Sequence, residues 1–471
     1  MTVSRKKDET SSTSLLREQE TTRNEGTAGG SEAILASLAD HASDVSSDSD
    51  TTKSRQPESD SRSPLERFRS PPRKTLSVTD LVSPAWCELQ YWYSLTKFGR
   101  VRQTPIMKQG TKIHKEKERE VQTEVIVTTE SSEDRFGIKL WNMIAGLRAF
   151  RAKGLTRELP VIGMIDGEII NGVIDELTET CPDEGAEATI YRAAEALSGG
   201  IAPPTKKRKG KKPSASEELT TQRTLSEFFA NPATIDNTDG SESPSGFGST
   251  ADDRKSIYLV DIKTRKAKGL PGATQMRPTR MQLMLYHRLL TEIANGEVDP
   301  DQVFQRYRLD KDSDFSKTFI DEMSKIDAAI TYEDDDVSPD DRRIEIEEHN
   351  TLSKVWTLMI SEFSNTLTTG RLSPLLSVEY RASNSGEVVG NHSFALDAVE
   401  LNSYVASEMQ WWRGERPARG VEITEASKCS ICEFAESCSW RKAKIAQAAA
   451  TVRSRKAATA ATRSNSAPTI P

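Results

Sequence analysis

The chain has 471 residues, length enough for about three domains, yet only 35% of them are hydrophobic. Counting glycine as apolar and omitting tyrosine brings the share to about 39%, below the roughly 45–50% of globular chains, so one folded unit with long disordered stretches is expected. The net charge of −7 does not exclude nucleic acid as a partner, because no acidic residue follows Glu436 and the tail beyond it carries +7.

No run of about 18 apolar residues occurs, so no transmembrane helix and no membrane partner are expected. The first residues, MTVSRKKDE, hold no apolar stretch, and Asp8, Glu9, Glu18 and Glu20 argue against a mitochondrial transit peptide. Five cysteines, an odd number in a long chain, make a disulfide framework unexpected.

In chain order, residues 1–73 are Ser/Thr/Asp-rich and read as disordered. Structure is expected from Ser77, ahead of the aromatic cluster Trp86, Tyr91, Trp92 and Tyr93. A helix-like segment, TKIHKEKERE, carries His114, and 121–129 is β-branched like a strand. Phe136, Leu140, Ile144 and Leu147 predict a helix over 134–152. Residues 160–180 predict a hairpin turning at Asp166-Gly167. From 183 to 253 the chain turns polar and rich in Pro, Gly and Ser, a disordered insertion. A buried strand follows over 256–263, then helices over 277–296 and 350–369, a hairpin over 375–396 and a helix over 397–413. The expected tail, 441–471, is basic and disordered.

Asp261 and Lys263 are two apart on a strand and share a face that Arg265 continues. With Asp175 on an earlier strand, two carboxylates can hold a hard cation such as Mg²⁺ (or Mn²⁺), while the ammonium orients a water or neutralises a phosphate. That is equipment for phosphodiester hydrolysis; a surface ion pair is the plainer reading. Gln282 and Tyr286 stand one helical turn apart and face the same way, toward a phosphate or base, or simply on the rim of an amphipathic helix. His114 alone is a candidate ligand or a structural histidine.

Cys429, Cys432 and Cys438 lie within ten residues and need a fourth thiolate to complete a metal site. Cys87, in a folded aromatic segment, is preferred over Cys181, which borders the insertion. One distant cysteine plus three clustered ones suits a 4Fe–4S cluster better than zinc, with buried thiols as the third reading.

Together Asp175, Asp261-Ile262-Lys263, Gln282 with Tyr286, His114 and the cysteines resemble the RecB-type nucleases of the PD-(D/E)XK superfamily that carry an iron–sulfur cluster. The stretches SVTDLVSPAWC, GVIDEL, VDIKTR and QLMLY are most similar to the exonuclease V family in its fungal form. The resemblance covers about 77–182 and 254–440, and the joint order of its motifs is far more specific than any one of them. It implies an α/β fold, restriction-endonuclease-like, with a mixed sheet flanked by helices and a helical region stapled by the cluster. A single nuclease domain would span 74–182 and 254–440. It implies that Asp175, Asp261, His114 and the Ile262 carbonyl bind metal, that Lys263 positions water, and that Arg265, Gln282 and Tyr286 contact DNA or support the site. The activity implied is single-stranded DNA exonuclease action from free ends. A DNA-binding scaffold with a dead nuclease fold and a flap-cleaving endonuclease are the competing readings. A monomer is expected, with a single-strand-binding protein as a candidate helper.

Within the insertion, the block Lys206–Lys212 resembles a nuclear localisation signal or a DNA-binding patch, so a nuclear location is expected, with the mitochondrion as the alternative. Next comes Gln222, with Leu225, Phe228 and Phe229 spaced as in peptides that bind the sliding clamp (PCNA). One short turn would bury the three apolar side chains in a pocket. The alternative is packing against the chain's own domain.

Overall fold

The computed structural model describes residues 13–20, 60–71, 73–101, 105–119, 122–197, 255–329 and 339–465. The basic block 206–212 and the clamp-like peptide 222–229 lie outside them.

Strand β1 (Thr13–Glu20) pairs in parallel with β3 (Gln122–Thr129). Between them come α1 (Pro64–Phe68), β2 (Leu76–Ser77), α2 (Val78–Val82), α3 (Glu88–Phe98) and α4 (Pro105–Arg119). Ser77 and Asp80 form a capping box that starts α2. The Asp80 carboxylate also takes Arg69 and the Tyr91 hydroxyl, which ties α2 to its neighbours.

Helix α5 (Ser132–Lys153) begins at a Ser131–Asp134 capping box and ends at Gly154, whose φ of 66° is the left-handed stop glycine permits. The predicted hairpin is β4 (Leu155–Ile165) and β5 (Glu168–Thr178). Asp166 and Gly167 have φ of 50° and 82°, the double positive of a type I′ turn. Next are α6 (Glu184–Leu197), β6 (Ile257–Arg265), α7 (Ala273–Ala294), α8 (Pro300–Tyr307), α9 (Lys317–Ala329), α10 (Pro339–Glu348) and α11 (Leu352–Thr366). The chain closes with β7 (Leu372–Ala382), β8 (Val388–Ala395), α12 (Ala398–Trp412), a 3₁₀ turn at Ile423–Ile431 and α13 (Ser439–Asn465).

The main sheet is mixed and has six strands among the described residues. Strand β5 is antiparallel to β4 along its full length, parallel to β2 at Ile170, and antiparallel to β6 from Glu176 to Thr178. Strand β6 runs parallel to β7, with Asp261 opposite Val378 and Lys263 opposite Tyr380, and β8 closes that edge antiparallel. Parallel β6 and β7 require a crossover, and α7 to α11 supply it. Helix α7 lies close on the sheet. A Cβ at Gly172 would fall 2.5 Å from the Tyr286 ring, and one at Gly163 would fall 2.4 Å from Leu289, so glycine alone allows this approach. Trp411 and Trp412 of α12 pack edge-on to Tyr91 and close the core.

Three expected disordered regions are in part structured. The N-terminal region holds β1 and α1, the latter set by a Ser63–Glu66 capping box. The insertion opens with α6, where Ile190 packs on Tyr258 and Leu375. The tail carries α13, which has nine alanines and no glycine or proline. Alanine is the best helix former, so these two Ala-rich segments form helices despite their polar and charged composition. The span 300–348, without an assignment from periodicity, holds α8, α9 and α10.

Candidate active site and cysteine cavity

Strands β4, β5 and β6 and helix α4 each bring one carrier of chemistry to the same place. The Asp175 Oδ2 atom accepts the Ile262 backbone N–H at 2.9 Å. His114 of α4 sets Nε2 3.0 Å from the Ile262 carbonyl and Nδ1 3.2 Å from Glu158 Oε1. Both ring nitrogens thus face acceptors, a set of partners that only the imidazolium satisfies as donor. Burial opposes that charge, but the Glu158 hydrogen bond and the Asp175 and Glu158 charges outweigh it and push the His114 pKa up to about 9.

One ligand atom each from His114, Glu158 and Asp175 lies within 4.8 Å of the others. Glu158 escaped the sequence reading. It sits in β4 with a φ of 50°, a left-handed backbone inside a strand that costs on the order of 1–3 kcal/mol. Nothing in its local sequence, Arg-Glu-Leu, flags that conformation.

Asp261 stands outside this trio but beside it. Its side chain is 2% exposed, and Oδ1 accepts Lys263 Nζ at 2.8 Å. Its Oδ2 is buried with no hydrogen-bond partner. Burial, reinforced by the Asp175 charge, pushes its pKa up to about 7 against the pull of Lys263. A buried carboxylate oxygen without a partner is costly, and a cation would satisfy it. The donors here are carboxylates, a carbonyl and one imidazole, a set that fits Mg²⁺ or Mn²⁺.

Arg265 lies two residues past Lys263 and 5.8 Å over the Tyr380 ring, its Nε and Nη1 without hydrogen-bond partners. Gln282 and Tyr286 do share a face of α7 and interact with each other, and Tyr286 also meets the Val173 backbone. Tyr286 is 5% exposed. This corrects its expected contact with DNA: packed on Gly172, it has no free face, and it supports the carboxylate strands from within.

The cysteines gather elsewhere. Cys87 caps the start of α3, Cys429 and Cys432 lie at the end of the 3₁₀ turn, and Cys438 precedes α13. All four line one small cavity, walled by Trp86, Tyr93 and Phe434. Burial, with the other three thiols nearby, pushes the Cys87 pKa up. Cys181 sits apart, against Ile190, Tyr258 and Leu375. The chain ends of this region are clamped by Glu88, which takes Arg416 through two bonds of 2.7 and 2.8 Å and the Arg419 backbone N–H.

A family model described as Exonuclease V, a 5′ deoxyribonuclease, matches residues 63–441. The chain belongs to the exonuclease V family. Exonuclease V of zebrafish (Danio rerio) is 25% identical over 383 residues, covering 81% of this chain and 73% of that protein. Over 67 residues the chain is 34% identical to "Exonuclease V, mitochondrial" of Candida dubliniensis, covering 14% of this chain and 10% of the relative. The match spans both acidic strands, α7 and all four clustered cysteines, and it makes the chain a deoxyribonuclease. It also supplies what spacing could not, the 5′ character of the family's exonuclease. It stops at 441, so most of α13 lies beyond it.

Proposed function

We propose that this family member is a metal-dependent exonuclease that degrades single-stranded DNA from free 5′ ends during DNA repair or replication, on a PD-(D/E)XK core. The partnerless Oδ2 of buried Asp261, next to the His114–Glu158–Asp175 trio, carries the reading. Asp175, Asp261, Glu158, the Ile262 carbonyl and His114 would hold Mg²⁺ or Mn²⁺, whose chemistry is to polarise the phosphoryl oxygen and lower the pKa of water. To join that set, His114 gives up the proton it holds against Glu158. Lys263, a third exposed and held by Asp261, stabilises charge that builds on the phosphoryl oxygens and orients the water. Arg265, whose Nε and Nη1 are buried without hydrogen-bond partners and whose guanidinium lies over the Tyr380 ring, adds positive charge behind Lys263 that favours a bound phosphate.

For the cysteines we propose a 4Fe–4S cluster. A zinc ribbon usually supplies two local cysteine pairs, whereas one distant cysteine with three clustered ones suits a cubane, in which each thiolate takes a different iron. The basic block at 206–212 supports a nuclear address, and the 222–229 peptide supports tethering to a sliding clamp.

Labelled linear and circular single strands, incubated with and without Mg²⁺, test the activity. Expected is Mg²⁺-dependent loss of nucleotides from the 5′ end of the linear strand, with the circle intact. Cleavage of the circle, or full activity in chelator, contradicts the reading.

A further inference from the structure

Helix α13 starts at Ser439, directly after Cys438, and runs to Asn465. It holds no acidic residue. At about 100° per residue, Arg441, Lys442, Lys444, Arg453, Arg455 and Lys456 all fall on one half of its circumference. The other half carries Trp440 and small or uncharged polar residues. Lys442, Arg453, Arg455 and Lys456 are exposed, and among the described residues none has an ion pair.

This charge pattern works against the helix. Cations in the first turn oppose the macrodipole, and nothing of opposite sign stands a turn away from them. Alanine content sustains the helix despite this. The arrangement gains only when an external polyanion lies along the charged half. The enzyme's substrate is such a polyanion, and the helix projects from the cysteine cavity over a rise of about 21 Å between Lys442 and Lys456.

We propose that the basic half of α13 is a DNA-backbone clamp, an addition in this chain beyond the 63–441 family match. It contacts phosphates without reading sequence, and it holds the strand outside the catalytic trio. The inference takes from the family only that the substrate is DNA; it does not depend on the metal or the cluster.

The test uses the full chain with Arg453→Gln, Arg455→Gln and Lys456→Gln combined, and reads anisotropy of a labelled single-stranded oligonucleotide whose phosphorothioate linkages keep the charge and resist cleavage. Glutamine preserves helix propensity. Each lost phosphate contact removes about 0.7 from the slope of log K against log salt for a single strand. The slope is therefore expected to fall by about 2, and affinity at about 0.1 M salt to weaken roughly tenfold to a hundredfold. Arg453→Lys with Arg455→Lys keeps the charge and should bind as the parent does. An unchanged slope in the glutamine variant overturns the proposal. So does equal loss in the lysine variant, because the effect would then not be charge.

Discussion

The Ile262 backbone N–H donates to Asp175 Oδ2 at 2.9 Å, so the residue between Asp261 and Lys263 holds the carboxylate of the neighbouring strand in place. Only Glu176 to Thr178 pair with β6 along that edge of β5, and this side-chain bond extends the contact one residue further, toward the site. The two acidic strands therefore meet at a fixed separation although 78 residues (179–256) divide them in sequence.

Asp261→Ala is expected to abolish Mg²⁺-dependent cleavage, on the order of a thousandfold in rate, while binding to a single strand persists. The change empties a cation site and also frees Lys263 from its 2.8 Å partner. Gel-based cleavage at saturating Mg²⁺, paired with anisotropy, checks it. Near-parental cleavage removes Asp261 from the site.

A pH effect follows from His114. Its pKa, raised to about 9, means that a proton and a metal ion compete for the imidazole between about pH 6.5 and 9. The Mg²⁺ concentration for half-maximal activity should therefore fall as pH rises across that window. In Glu158→Gln the supporting carboxylate is lost, the His114 pKa drops toward its ordinary value, and the window shifts to lower pH. Nuclear magnetic resonance titration of His114 gives the same comparison without catalysis. Identical His114 titrations in both proteins would refute the assignment of Glu158.

The purified protein should be brown, with about four irons per chain. Cys87→Ala should lose the colour and lower the melting temperature, since α3 and the C-terminal turn are joined there. Cys181→Ala, packed elsewhere, should keep both. A colourless protein with one zinc per chain would falsify the cluster.

Glu408 makes stability depend on pH in a definite direction. Burial, with Glu88 nearby, pushes its pKa up to about 8 despite Arg416, and its Oε2 has no partner. The folded state then binds a proton that the unfolded state releases above about pH 4.5. Stability falls as pH rises from about 4.5 to 8 and levels off beyond, by an amount on the order of a few kcal/mol. Glu408→Gln should flatten that decline. Parallel melting curves from pH 5 to 9 compare the two, and coincident slopes mean Glu408 is charged in the fold.

Phe228→Ala with Phe229→Ala should abolish binding to the sliding clamp and leave cleavage of free oligonucleotides intact, because the active-site residues lie outside 183–253. A peptide of this kind orders on binding, so its affinity should be on the order of micromolar. Calorimetry with a peptide spanning 218–234 measures it; absence of heat at about 100 micromolar would show that the spacing is coincidental.

Much of this protein is legible in its sequence because the signals are local. Periodicity marks the helix that runs Ser132–Lys153, Asp166-Gly167 marks its hairpin, and strand alternation puts Asp261 and Lys263 on one face. Cysteine spacing marks three members of the cavity, and the aromatic surroundings of Cys87 pick out the fourth. What only the tertiary structure decides is what depends on distant residues meeting. Glu158 joins His114 and Asp175 through a left-handed backbone that no nearby residue encodes. Asp261 stands beside that trio rather than within it. Tyr286, at the same helical spacing as Gln282, is taken inward because Gly172 leaves room for its ring. Spacing along one element sets which way a side chain points from its own backbone; what it meets there is set by the packing of elements far apart in the chain.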